Sequence, residues 1–332
     1  MNPQRSPSTS SNGEPVRFAI VGLGRMGGNM ARHALDLGFG VAGYARRGPD
    51  AELVRCGVVA IERLADLRTA LTAPRRVLLY VPAGVAVDEL LDELCGVLEP
   101  GDVIADGGNA YWGDSIRRHR RMRQCGLGFV DVGTSGGVSG ARAGACFMVG
   151  GEESDVASMA PILTALAVEG GYLHVGAAGS GHFTKLVHNG IEFGMLQAIG
   201  EGVDLLAHYP EPLPIAEVLR NWRHGSVIRG WLVDLMEQAL RGAPGLQSVD
   251  SHVEDTGEVN WLIDDALRME VSIPVIAQAV MQLLASRDSD HVGSRAVSML
   301  RHGFGGHPYG RDERVAQERQ GGRVGGYIDP RR

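Results

Sequence analysis

Apolar runs and amphipathic stretches take turns along the first half of the chain. Residues 16–22 are an apolar run ending on glycine, the pattern of a buried strand, and residues 26–37 carry apolar positions at helical spacing. The same reading predicts strands at 40–44, around 58, and at 76–81, 102–106 and 128–132. Helices are predicted between them near 52, near 64, and at 85–98 and 115–124. Strands alternating with helices imply βαβ units and a parallel, doubly wound sheet. Runs at 146–149 and 172–175, with a helix between them, extend that sheet. From 179 to about 299 the apolar positions recur at helical spacing, with almost no strand signal. Pro210, Pro212 and Pro214 punctuate the end of the first long helix there, and a domain boundary is placed near 176–179.

That long helix carries the first chemical signal. Lys185, His188, Asn189 and Glu192 fall at i, i+3, i+4 and i+7, which puts a base, an imidazole, an amide and an acid on one face. Its other positions are apolar, among them Leu186, Val187, Ile191, Met195, Leu196 and Ile199, so the helix is expected to be buried. A buried polar stripe needs a reason, because an unpaired buried Lys or Glu is costly. A solvated face is the plain alternative.

The second signal is Gly22-Leu23-Gly24-Arg25-Met26-Gly27, a GxGxxG between the first strand and the first helix. The glycines allow a tight turn and close backbone approach, and the helix N-terminus faces an anion. In this context the motif predicts dinucleotide binding on a Rossmann-type sheet. The second strand ends Tyr44-Ala45-Arg46-Arg47, with guanidinium groups where an NAD binder usually places a carboxylate for the ribose hydroxyls. Arg suits a 2′-phosphate, so NADP is expected over NAD. Two further strands end in Val81-Pro82-Ala83 and in Asp106-Gly107-Gly108-Asn109, so both loops are expected at the cofactor crevice, with Asn109 reaching cofactor and substrate.

Composition narrows the picture only a little. A net charge of −7 gives no reason to expect a nucleic-acid partner, and an anionic substrate would have to be caught by local Lys or Arg. No run of about eighteen apolar residues predicts a membrane span. The 4 cysteines, Cys56, Cys95, Cys125 and Cys146, lie far apart with no CxxC, which reads as reduced thiols in a cytoplasmic protein without a metal site. Residues 1–15 lack an apolar core and read as a disordered leader, and residues 311–332 as a flexible polar tail.

Several separated motifs together resemble the 6-phosphogluconate dehydrogenase family, in its short bacterial form, within the β-hydroxyacid dehydrogenases. They are GLGRMG at 22–27, DGGN at 106–109, GTSGGVSGARAG at 133–144, GHFTKLVHNGIEF at 181–193 and FGGH at 304–307. The resemblance implies a Rossmann-like NADP-binding domain at 16–177 and an all-helical substrate and dimerisation domain at 178–310. It implies Lys185 as catalytic base and Glu192 as acid. Asn109, Ser135, Gly136, Gly137, His188 and Asn189 match substrate contacts. Arg301 and His307 match positions that reach into a neighbouring subunit, so a homodimer is implied. The implied reaction is oxidative decarboxylation of 6-phosphogluconate in the pentose phosphate pathway, with NADP reduced.

Three positions depart from the family pattern at the phosphate end of the substrate: Phe193 for a Tyr, Leu283 for an Arg, and Asn260 for a base. Two alternatives follow. One is a paralogue that decarboxylates a different 3-hydroxy acid. The other is a non-catalytic NADP-binding sensor, against which the joint presence of Lys185, Asn189 and Glu192 argues.

Overall fold

A computed structural model of the chain describes residues 17–243 and 245–313. The leader assigned to 1–15 and all but the start of the tail assigned to 311–332 lie outside the described residues. Internal contacts divide the chain into two units, Met1–Gly190 with Gly257–Asp265, and Ile191–Thr256 with Ala266–Arg332.

The first unit follows the alternation in the sequence. In chain order it contains β1 (Arg17–Val21), α1 (Arg25–Asp36), β2 (Gly40–Tyr44), α2 (Ala51–Arg55), β3 (Val59–Ile61), α3 (Leu67–Ala70), β4 (Arg76–Leu79), α4 (Val85–Val97), β5 (Val103–Asp106) and α5 (Trp112–Gln124). Then come β6 (Gly128–Ser135), α6 (Gly137–Ala143), β7 (Ala145–Gly150), α7 (Glu153–Leu166), β8 (Ala167–Gly176) and the long α8 (Ser180–Ala207), which begins here. The 8 strands form one sheet in the order β3-β2-β1-β4-β5-β6-β7-β8. All neighbours are parallel except β6 and β7. The chain reverses between them through the short α6, which periodicity over so few residues does not reveal. The Rossmann-like fold expected from the sequence is therefore present, with one antiparallel step added.

Both sheet faces are covered, and β1 shows how. Phe18 and Ile20 point into one core with Met30, Ala31 and Ala34 of α1 and Met159 and Ile162 of α7. Ala19 and Val21 point into the other with Leu91 and Leu94 of α4 and Met122 of α5. Burial on both faces is why the strands read as unbroken apolar runs.

Two expectations are corrected. Cys95 of α4 and Cys125, just after α5, form a disulfide with Cα atoms 6.0 Å apart, so these two are not reduced thiols. Both pack against the same core, and a separation of 30 in sequence hides their proximity in space. Cysteine usage thus gives no argument for a reducing compartment. Cys56 and Cys146 are free and exposed. The second correction concerns α8, whose apolar residues are only partly buried. Leu186 is buried, whereas Ile191, Met195, Leu196 and Leu205 are exposed in this chain.

The second unit is helical. It holds the rest of α8, α9 (Ile215–Trp222), α10 (Trp231–Gly242), the end of α11 (Glu258–Arg268), α12 (Pro274–Ala285) and α13 (Val292–Gly305). Val203, Leu219 and Val233 form its small core with Ile199, Trp222 and Met236. Buried Glu237 of α10 is satisfied by Arg223 and Arg241. No helix among the described residues is long and apolar enough to cross a membrane.

Candidate active site

The strand order reverses between β1 and β4, and open parallel sheets bind ligands beyond the carboxyl ends of strands at such a point. Gly22 leaves β1 there with φ +94°, and a Cβ on it would lie 2.2 Å from the Tyr80 carbonyl oxygen. A Cβ on Gly27 would lie 1.9 Å from the Gly22 oxygen. Packing alone thus demands both glycines. Gly24 differs, because a Cβ there would meet nothing within 4 Å. It precedes the first turn of α1, where Arg25 and Met26 leave backbone N–H groups without helical partners and which carries no acidic residue of its own. Leu23 lies over β2, where a Cβ on Gly43 would touch it at 2.8 Å. This loop and helix terminus fit a pyrophosphate.

Arg46 and Arg47 sit in the turn just beyond β2, closed by Gly48 N–H donating to the Ala45 oxygen at 2.8 Å. Both are exposed, and Arg46 approaches Glu89 at 3.9 Å. The nearest following carboxylate, Asp50, is engaged in capping α2 through the Glu52 N–H at 2.9 Å. Past β4, Val81 packs into the core while Pro82 and Ala83 are exposed.

Four predicted substrate residues meet Lys185 around the first half of α8. Lys185 Nζ donates to Asn189 Oδ1 at 2.6 Å and lies 3.2 Å from His188 Nδ1. His188 Nε2 lies 3.0 Å from Ser135 Oγ at the end of β6. Asn189 Nδ2 donates to Asn109 Oδ1, beyond β5, at 3.4 Å. When His188 carries its proton on Nε2, it accepts from Lys185 and donates to Ser135, and the chain Asn109–Asn189–Lys185–His188–Ser135 is hydrogen-bonded throughout. Gly136 and Gly137 follow Ser135 in left-handed conformations, with φ of +111° and +59°, and start α6.

Residues 17–176 match the family description "NAD binding domain of 6-phosphogluconate dehydrogenase", and residues 181–318 match that enzyme's C-terminal domain. A Haloferax volcanii protein named an NAD(+)-dependent, decarboxylating 6-phosphogluconate dehydrogenase is 38% identical over 301 residues, covering 90% of this chain and 100% of the relative. The chain belongs to the 6-phosphogluconate dehydrogenase family. Bacillus subtilis YqeC, provisionally named for the same activity, is 39% identical over 293 residues, 88% of this chain and 98% of its own. Among solved structures, Plasmodium falciparum 6-phosphogluconate dehydrogenase shares the fold, with a TM-score of 0.73 at 24% identity over 89% of this chain and 66% of that one.

The remaining predicted site residues of this family member fall in the second unit. Glu192 is half-buried on α8, seven residues beyond Lys185 on an unbroken helix. Arg301 is exposed on α13, and His307 follows that helix, its backbone oxygen 2.9 Å from His302 Nδ1.

Sequence reasoning missed the residues that hold the site in place. Asp131 of β6 is fully buried, and its two carboxylate oxygens accept from Gly179 N–H at 2.7 Å and His182 N–H at 2.8 Å. It thereby caps the N-terminus of α8. A charged residue inside an apolar strand was the available signal. Glycines let this helix press on the sheet. A Cβ on Gly133 would lie 2.6 Å from Lys185 Cβ, and one on Gly181 would lie 2.5 Å from the Asp131 and Met148 oxygens. Tyr80, just past β4, places its hydroxyl 3.3 Å from Thr134 Oγ1 of β6, and burial pushes its pKa up. Asp265 of α11 accepts from Tyr111 at 3.1 Å and Trp112 at 2.7 Å, fixing the start of α5.

Proposed function

We propose that the protein oxidatively decarboxylates 6-phosphogluconate to ribulose 5-phosphate and CO2 with NADP, as a homodimer in the cytoplasm, within the pentose phosphate pathway. The observation carrying this reading is the hydrogen-bonded chain from Asn109 to Ser135 through Lys185, at the rim of a nucleotide-binding sheet. A bound dinucleotide supplies the hydride acceptor. Neutral Lys185 takes the proton of the C3 hydroxyl at Nζ. Asn189 and His188 hold that nitrogen, and Asn109, Ser135, Gly136 and Gly137 grip the substrate. The resulting ammonium polarises the C3 carbonyl while the carboxylate leaves as CO2. Protonated Glu192 then delivers its proton to the carbon that lost CO2. Positioned acid–base groups of this kind contribute about 10²–10⁴-fold.

Arg46 and Arg47 support NADP, whose 2′-phosphate suits a guanidinium fork. The NAD(+)-dependent Haloferax relative makes NAD the competing cofactor. The dimer is supported by apolar residues left exposed in the second unit, among them Ile191, Met195, Trp231, Met281 and Leu300. In it, Arg301 and His307 complete the partner's site.

The test is turnover of 6-phosphogluconate, followed by CO2 release and reduced-cofactor fluorescence. Lys185→Ala abolishes turnover while cofactor binding survives. Wild-type-like turnover in that variant refutes the mechanism. Phe193 and Leu283 favour a second reading, a paralogue for another 3-hydroxy acid, because neither can bind a phosphate through its side chain. Comparing kcat/KM for 6-phosphogluconate and gluconate separates the two readings. A large preference for the phosphorylated acid removes the paralogue.

A further inference from the structure

Arg118 of α5 is wholly buried, although nothing in the proposed chemistry uses it. Its guanidinium reaches three points on two loops. Nε donates to Asp88 Oδ1 at 3.0 Å, in the first turn of α4, and Nη2 donates to the Gly84 carbonyl at 3.0 Å. Nη1 faces Asp106 Oδ2 at 3.6 Å, both atoms being fully buried and, among the described residues, without a hydrogen-bond partner. The other oxygen of Asp106 accepts from Gly108 N–H at 3.1 Å, next to Asn109. One planar group therefore ties the loop after β4, which carries Val81, Pro82 and Ala83, to the loop after β5, which carries Asn109.

We propose that Arg118 is a positioning residue for the dinucleotide site, clamping these two loops at the separation the cofactor requires. The inference rests on the functional reading above. Desolvating a guanidinium is costly, and a well-packed apolar side chain at the same place would avoid that cost. A buried Arg here is accounted for by its fork. Three donor directions fixed in one plane meet a carbonyl and two carboxylates, where a lysine offers one compact head. The clamp lies at the carboxyl ends of β4 and β5, where this class of sheet binds ligands. Asn109 hydrogen-bonds Asn189, which hydrogen-bonds Lys185, so the clamp also bears on the proposed base.

The experiment measures NADPH and NADH binding by fluorescence on the full-length wild type, Arg118→Lys and Asp88→Asn, together with kcat, KM and thermal unfolding. Arg118→Lys is expected to raise the dinucleotide Kd about tenfold, the equivalent of one lost buried hydrogen bond to a charged group. Its kcat falls as well, because Asn109 is displaced. Asp88→Asn keeps the guanidinium and weakens its anchor at a partly exposed position, so it folds even where Arg118→Lys does not. It is expected to raise Kd about threefold to tenfold. Wild-type Kd and kcat in either folded variant, with only the unfolding temperature lowered, overturn the inference and make Arg118 a plain core residue. A wild-type protein that binds neither dinucleotide overturns the functional reading itself.

Discussion

Replacing Asp131 by Asn tests whether one buried carboxylate holds the proposed catalytic lysine in place. The two side chains are nearly the same size, so the change leaves packing alone. In the wild type the two oxygens accept the backbone N–H groups of Gly179, just before α8, and of His182, in its first turn, at 2.7 and 2.8 Å, with the carboxylate fully buried. The amide retains one acceptor and turns its NH2 toward the other N–H, so one hydrogen bond becomes a donor–donor contact. Hydrogen bonds to charged groups contribute about 1.5–3 kcal/mol each, and the stranded donor adds about 1–3 kcal/mol. Relief of the carboxylate's own desolvation offsets part of this, leaving a net loss of about 2–3 kcal/mol. With a urea slope of about 2–3 kcal/mol/M, the unfolding midpoint drops by about 1 M. Trp112 reports the transition, since it packs edge-on against Phe183 of α8 with ring centroids 5.8 Å apart. Lys185 lies one turn beyond His182, so a shift of the helix start of about 1 Å costs about 10²-fold in kcat. A midpoint within about 0.2 M of wild type, with unchanged kcat, refutes the idea that Asp131 fixes this helix.

The glycine contacts make a related claim. Gly133→Ala places a methyl 2.6 Å from Lys185 Cβ, and both kcat and thermal stability fall, by about 1–3 kcal/mol for the latter; a stable, fully active variant removes the close-approach argument. Arg46→Ala, alone and with Arg47→Ala, weakens NADP without weakening NAD, read as the ratio of kcat/KM for the two cofactors, and an unchanged ratio rejects the 2′-phosphate assignment. For Asp88, burial works against the charged form, but hydrogen bonds and charges from Arg118 and Arg117 outweigh it and lower the pKa from 3.8 to about 2. Because the folded-state value is the depressed one, this group's contribution to stability is complete above pH 3.8 and is lost as pH falls toward about 2. The stability difference between wild type and Asp88→Asn therefore shrinks across that interval and is reduced by salt; a difference that persists at acid pH contradicts it.

How much of the site could be read from the chain depended on distance along it. Lys185, His188 and Asn189 share a helical face because the helix repeat alone puts them there, and the structure joins the three by hydrogen bonds. Gly22 and Gly27 were legible because a strand-to-helix turn of that length has few backbone solutions. Asp131 and Arg118 were not, because their hydrogen-bond partners on neighbouring segments lie 30 to 51 residues away in sequence, and such pairings leave no periodic trace.

The chain by itself determined the alternation of strands and helices, the nucleotide-binding turn and the polar face of α8, because each follows from local periodicity and backbone freedom. Only tertiary structure decided that β7 runs against β6, that Cys95 meets Cys125, and that Ser135 and Asn109 join Lys185. Those outcomes depend on which surfaces pack together, and packing is set by the shape of the whole core, not by any one segment's propensity.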